Sequence, residues 1–226
     1  MFRCFLSAPE RVWLRPLHDG AAMSAYAAVA RPPRTLTEKE VALLLRVTGA
    51  HKEGFRDHCL YSLALASGLR EHELVALNIG DIFNERGRAR RHVMLTVFKG
   101  SRRHPRPQEI VLADAVRAKL EKLLRLKRAQ GHDVGPLAPL FLSRKSLRLS
   151  TRQVRHGFAV WQERAGLERH LNFHCTRHTA CTGVYRRTKD IRLTQRFARQ
   201  RSVDSTVIYT HPSDDELVRV TQELPC

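Results

Sequence analysis

Two short clusters near the C-terminal end carry the residue types that act on phosphate esters. The first reads His174-Cys175-Thr176-Arg177-His178-Thr179 and the second Thr206-Val207-Ile208-Tyr209-Thr210-His211. His174 and Arg177 stand three residues apart, a spacing that places both on one face of a helix. An arginine offers a planar fork of donors that matches phosphate oxygens. A phenol can attack an electrophile and form a covalent intermediate. His-x-x-Arg followed by an isolated tyrosine therefore points to chemistry on a phosphodiester. The first cluster also admits a metal reading, because His174, His178 and Cys181 fall at i, i+4 and i+7 and are zinc-ligating types. Against it, no second ligand pair stands at finger spacing, and Arg177 would place a cation inside the site. No metal is expected, and Cys175 and Cys181 read as small buried hydrophobes.

The charge balance fits a polyanionic partner. The 226 residues include 40 Lys and Arg against 22 Asp and Glu, a formal net charge of +18, which favours nucleic acid through counterion release. The five cysteines are an odd number without a CxxC pair, which argues for a reducing compartment rather than a disulfide framework. No apolar run reaches the roughly 18–20 residues of a membrane span. The apolar stretch 21–30 is rich in alanine and lacks the leucine and isoleucine core of a secretory signal. A cytoplasmic, nucleoid-associated protein is expected, with no membrane partner.

The elements that must position these residues are mostly helices. Residues 1–34 hold Pro9, Pro16, Pro32 and Pro33 without periodicity and read as a poorly ordered leader, so the domain is expected over 35–226. Thr37-Glu38-Lys39-Glu40 is a capping box that opens a helix ending near Gly49. A second helix is expected from Phe55 or Asp57 to Ser67. Gly68 breaks it, and a third runs from Leu69 to about Leu77. Arg70 thus lies at a helix start, where unpaired amides favour an anion; a solvated ion pair with Glu71 or Glu73 is the bland alternative. Strand character follows in Asp81-Ile82-Phe83, in 92–98 and in 108–112, with a turn at 84–87. This predicts a three-stranded antiparallel patch whose second hairpin carries Lys99, Arg102 and Arg103 in a basic turn. The turn suits a phosphate, although a charged edge guarding against aggregation has the same composition. Further helices are expected over 114–130, from the Ser150-Thr151 cap to Ala165 with Arg152 as another DNA contact, through Arg177 to Arg187, and over 190–199, 203–209 and 214–223. The fold class is α+β, mostly helical with one small sheet.

Four segments, in order along the chain, resemble the catalytic domain of the tyrosine recombinase (phage integrase) family. Ala66-Ser67-Gly68-Leu69-Arg70-Glu71-His72-Glu73-Leu74 is similar to its first arginine box, and Lys99-Gly100 on a hairpin to its mobile lysine. The cluster at His174 is similar to its His-x-x-Arg box, and that at Tyr209 to its nucleophile segment. The resemblance covers 36–211 and implies a mostly helical domain with a small three-stranded sheet. It also implies roles. Arg70 and Arg177 would clamp a DNA phosphate, Tyr209 would attack it, His174 would take the phenolic proton, Lys99 would protonate the departing 5′ oxygen, and Glu73 would orient the Arg70 helix. The product would be a covalent 3′-phosphotyrosine, formed without cofactor on double-stranded DNA within a homotetramer.

Two departures stand out. The family's Leu-Gly-His motif, nine residues before the tyrosine, aligns with Ala198-Arg199-Gln200. Gln200 can still donate a hydrogen bond to phosphate, while Arg199 replaces a glycine suited to a left-handed turn. The second departure is length, since the leader is too short for the family's N-terminal clamping domain; a fragment, a minimal member or a decayed copy would each fit. The expected activity is that of a site-specific recombinase or integrase. A weak or inactive DNA-binding relict and a type IB topoisomerase-like nicking and resealing enzyme are the alternatives.

Overall fold

The computed structural model describes residues 34–98, 108–210 and 221–224. The leader up to residue 33, the basic turn with Lys99, Arg102 and Arg103, and most of the expected last helix lie outside the described residues. Helix α1, Glu38–Ala50, starts where the capping box places it. Thr37 Oγ1 accepts from the Glu40 amide at 3.2 Å, and the Glu40 carboxylate accepts from the Thr37 amide at 2.7 Å. Arg169 grips the same carboxylate through two nitrogens, each at 2.7 Å. That pairing outweighs burial and holds the Glu40 carboxyl down to about 2. It ties the approach to His174 onto the first helix.

Helix α2, Phe55–Ser67, is the core of the domain. Cys59, Leu60, Tyr61, Leu63 and Ala64 are all within 1 % of complete burial, and a helix apolar on most sides belongs in an interior. Gly68 ends it at φ 60°, ψ 25°, its amide bonded to Ala64 O. Helix α3, Glu71–Ala76, follows after three residues, with Arg70 as its N-cap.

The small sheet holds two strands among the described residues, β1 His92–Leu95 and β2 Gln108–Val111, paired antiparallel. Val93, Leu95 and Ile110 face the core, while Met94 and Val111 face out. The expected third strand is corrected here. Asp81 accepts the Asn78 amide at 2.8 Å, which closes a short helix α4, Ile79–Ile82, and leaves only a single bridge between Phe83 and Ala89. A local cap over three residues outcompetes the strand.

The remaining helices are α5 Asp114–Ala129, α6 Thr151–Arg164, α7 Cys175–Thr188, α8 Ile191–Ala198 and α9 Asp204–Val207. Helix α2 packs against α1, α5 and α7, and α8 packs against α7 and α9. No helix among the described residues is long and apolar enough to cross a membrane.

Two contacts fix the start of α7. Phe173 joins Tyr61 and Phe158 in an aromatic cluster with ring centroids 5.3 to 6.0 Å apart. Gln162, 1 % exposed, donates to Leu171 O at 2.9 Å and accepts from the Leu171 amide at 2.8 Å. One buried carboxamide thus satisfies both backbone groups of a residue three positions before His174. Gln162→Met should lower unfolding free energy by about 1–3 kcal/mol, since it orphans a buried donor and acceptor. Urea denaturation measures the loss, and an unchanged midpoint would refute this account of how α7 is anchored.

Candidate active site

The site is assembled around the Gly68 turn. A Cβ at Gly68 would lie 3.0 Å from Phe197 Cε1, and its φ of +60° is left-handed, so any other residue is disfavoured on both counts. The turn exposes its carbonyl to the interior, where Arg177 Nη1 donates to it at 2.5 Å. Arg177 Nη2 donates to Ala198 O at 2.6 Å. The Arg177 guanidinium is only 2 % exposed. Its charge is tolerated because carbonyl oxygens replace water around it.

Arg70 stands on the other side of the same turn. Its amide donates to Glu73 Oε2 at 2.8 Å, and its Nη1 lies 2.9 Å from Glu73 Oε1. Glu73 is 1 % exposed and is shared with Arg199, whose Nη2 lies 3.0 Å from Oε2. Burial pushes the Glu73 carboxyl up, but Arg199 and Arg70 together hold it below the ordinary carboxylate range. It is an anion held between two cations. Arg199 keeps the left-handed turn expected of a glycine, at φ 53°, ψ 45°.

An open cleft of about 490 Å³ lies against these groups, lined by Arg70, Glu71, His72, Arg155, Asn172 and His174. Arg155 is held there by Glu71 at 2.6 Å. His174 is the N-cap of α7 in helical conformation, and its ring centroid is 4.7 Å from that of His178. Burial, then Arg177, hold the His174 imidazole below its ordinary 6.5, Glu71 opposing. It is neutral at neutral pH and able to accept a proton. His178 is pushed down to about 4 by burial, His174 and Arg177. Its Nδ1 is buried and meets no hydrogen-bond partner among the described residues.

Tyr209 lies behind this cleft, 2 % exposed and packed with Cys181 and Ala198. Its ring is tilted 53° to that of His178 at 5.7 Å. Burial and the Cys181 thiol raise the phenol pKa, while Arg177 lowers it. Gln200 uses its side chain to hold this segment: Nε2 donates to Ser205 O at 3.0 Å and Oε1 accepts from Thr206 Oγ1 at 2.8 Å.

Five of the sequence candidates are thus brought into one region, Arg70, Glu73, His174, Arg177 and Tyr209, while the Gln200 side chain is bonded to Ser205 and Thr206 in the segment leading to the tyrosine. Lys99, Arg102 and Arg103 fall outside the described residues. Arg152 is exposed on the first turn of α6, one turn before Arg155. Sequence reasoning missed Arg155, His178 as a neighbour of the tyrosine, and Arg199 as a member of the site. Arg155 sits in an arginine-rich background that offers no contrast, Arg199 reads in the sequence only as the replacement of a turn glycine, and His178 only as a zinc-ligand type. Among the described residues, no group of three His, Cys, Asp or Glu is placed to hold a metal.

The histidines give the site a pH signature. His178 binds its proton at about 4 in the folded protein against an ordinary 6.5, so the unfolded chain protonates first as pH falls. Stability from this group is intact above the ordinary value and is lost progressively between 6.5 and 4. Thermal midpoints measured across that window should fall with pH, and His178→Gln should flatten the fall. An equally steep profile in that variant would assign the loss to other groups.

The phage integrase family model matches residues 34–216. The tyrosine recombinase XerC of Herpetosiphon aurantiacus is 32% identical over 196 residues, covering 84% of this chain and 60% of the relative. The chain therefore spans about three fifths of that curated relative's length. Among solved structures, the XerA recombinase has a TM-score of 0.69 at 26% identity, covering 87% of this chain and 67% of its own. The XerH site-specific recombinase bound to palindromic difH substrate, a post-cleavage complex, has a TM-score of 0.68 at 21% identity, covering 85% and 53%.

Proposed function

This chain belongs to the phage integrase family, and from that premise we propose that it breaks and rejoins DNA through a phosphotyrosine formed by Tyr209. The observation that carries the proposal is that Arg177 is bonded to the carbonyl of Ala198 while Tyr209 packs on the same residue, beside a cleft lined by Arg70 and His174. These are the nucleophile, two phosphate-matching forks and a neutral base. A guanidinium carries five N–H donors; in Arg177 one on each Nη is taken by a carbonyl, and the donors that remain can turn to a non-bridging oxygen once Tyr209 moves outward. Arg70 contributes a second fork, and together they stabilise the charge that builds on the pentacoordinate phosphorus.

The steps follow from these groups. Tyr209 Oη attacks phosphorus, His174 takes the phenolic proton, and the P–O bond to the 5′ oxygen breaks. Lys99 returns a proton to that oxygen, leaving a 3′-phosphotyrosyl link and a free 5′-hydroxyl. Gln200 donates its second amide hydrogen to the phosphate. Reversal by a second 5′-hydroxyl reseals the strand with no nucleotide consumed. Because Tyr209 is only 2 % exposed, attack requires the segment at 200–210 to shift outward from Cys181 and His178. Double-stranded DNA is the partner, with Arg102, Arg103 and Arg152 on its backbone, and two exchanges within a homotetramer would give recombination. The reading takes 35–226 as the catalytic domain and 1–34 as a leader, and it places the protein in the cytoplasm on the nucleoid. The three described cysteines, Cys59, Cys175 and Cys181, are free thiols, which supports a reducing compartment.

A suicide duplex, nicked so that the 5′-hydroxyl fragment diffuses away, tests this directly when selected from a randomised library. The wild type should form a denaturant-resistant adduct, and Tyr209→Phe should form none while binding the same duplex within a factor of about three. An adduct of wild-type yield in that variant would overturn the nucleophile. Arg70→Ala should slow cleavage by about 10²–10³-fold, the scale of a lost transition-state donor.

Proton transfer leaves its own mark. His174 is held below 6.5, so the cleavage rate should rise with pH through a midpoint below that value as the imidazole is freed. In His174→Asn the residual rate should lose that inflection. An acidic limb that survives unchanged would show that another group takes the proton.

A further inference from the structure

Arg199 departs furthest from the family pattern, and the mechanism above gives it no task. It is held in the left-handed region, at φ 53°, ψ 45°, where any residue with a Cβ is disfavoured. A surface arginine would gain nothing from such a position. This one folds back into the site, with its side chain 5 % exposed. Nη1 donates to Ser67 O at 3.1 Å, and Nη2 reaches Glu73 Oε2 at 3.0 Å. The other Glu73 oxygen holds Arg70 Nη1 at 2.9 Å. One carboxylate is thus divided between a guanidinium from the end of α8 and the guanidinium of the first arginine box.

The charge count changes as well. Glu73 alone would cancel one of the two clamp cations, Arg70 and Arg177. With Arg199 present, Arg70 and Arg199 share the Glu73 carboxylate while Arg177 is held by carbonyls beside them, so these four side chains carry a surplus of two positive charges. Gln200, in the position where the family pattern has a histidine, adds none, and its carboxamide is bonded to Ser205 and Thr206.

We propose that Arg199 is a positioning residue for strand cleavage: it shares Glu73 with Arg70, braces the Gly68 turn, and restores the positive charge that Glu73 would otherwise remove from the phosphate clamp. Its carrier is the backbone at the end of α8, so the segment leading to Tyr209 and the first arginine box are coupled through one ion pair. The role acts through Arg70 and needs no contact between Arg199 and DNA. The inference rests on the reading of Arg70 as a phosphate ligand.

The test uses the full chain and the selected suicide duplex, with Arg199→Gly, Arg199→Lys, Arg199→Met and Arg70→Ala measured beside the wild type. Arg199→Gly removes the side chain and also relieves the left-handed backbone, so it is the variant expected to fold. Three quantities are read: the single-turnover cleavage rate at saturating DNA, the Kd for the un-nicked duplex at fixed salt, and the thermal midpoint. Arg199→Gly should slow cleavage by about 10–100-fold, with Kd within about threefold and the midpoint within a few degrees of wild type. Arg199→Lys, which keeps the charge, should recover at least about tenfold of that loss, whereas Arg199→Met, of similar reach, should recover none. Wild-type cleavage by Arg199→Gly overturns the proposal. So does a rate loss matched by a fallen midpoint or weakened Kd, or equal behaviour of the Lys and Met variants. Arg70→Ala separates the two levels of the argument. If it cleaves normally, or if the wild type forms no adduct, the clamp reading fails and takes this inference with it. If Arg70→Ala is impaired and Arg199→Gly is not, only the role of Arg199 falls.

Discussion

A fully buried guanidinium organises this molecule. Taking an ion out of water costs several kcal/mol even after relaxation, and Arg177 is 2 % exposed. The cost is offset only while two carbonyls, of Gly68 and Ala198, point at its two terminal nitrogens. The first belongs to the turn after α2 and the second to the end of α8. Three helices distant in sequence must therefore meet at one geometry, or the charge is left without solvation. The glycine at the turn, the aromatic cluster at Phe173 and the carboxamide of Gln162 all serve that meeting.

The same constraint explains the electrostatic character of the site. Arginines gathered around a single carboxylate repel one another, and burial lowers the Arg199 pKa against the pull of Glu73. Such an arrangement stores unfavourable energy that an incoming anion relieves, which is how preorganised sites gain their advantage in a transition state. Neutral histidines fit the pattern, because positive neighbours and burial both oppose their protonation. Tyr209, the proposed nucleophile, is packed on Cys181, and burial raises its phenol pKa so that it stays protonated at neutral pH.

Much of the secondary structure was legible in the chain because it is decided within a few residues. The capping boxes at Thr37 and Ser150 place the starts of α1 and α6, and Gly68 ends α2 where a left-handed residue is needed. The expected third strand failed for the same local reason read the other way: the Asn78–Asp81 cap commits that stretch to a helical turn. His174, Arg177 and Tyr209 also stand out by type and spacing, and the fold brings them close together through the His174–His178–Tyr209 ring contacts and the Arg177–Ala198 bond.

What the sequence by itself determined is therefore the helical framework, the basic character and the family to which the chain belongs. What only the tertiary structure decided is how the site residues are charged, hidden and joined. Glu73 and Arg199 are 126 positions apart, and Arg177 is 109 from the carbonyl it needs. No local propensity records such a pairing, because an ion pair or a buried guanidinium exists only once folding has removed the water that would otherwise solvate each group separately. Arg199 looked like a flaw in a glycine position. In the folded chain its backbone keeps the turn, and its side chain joins the site.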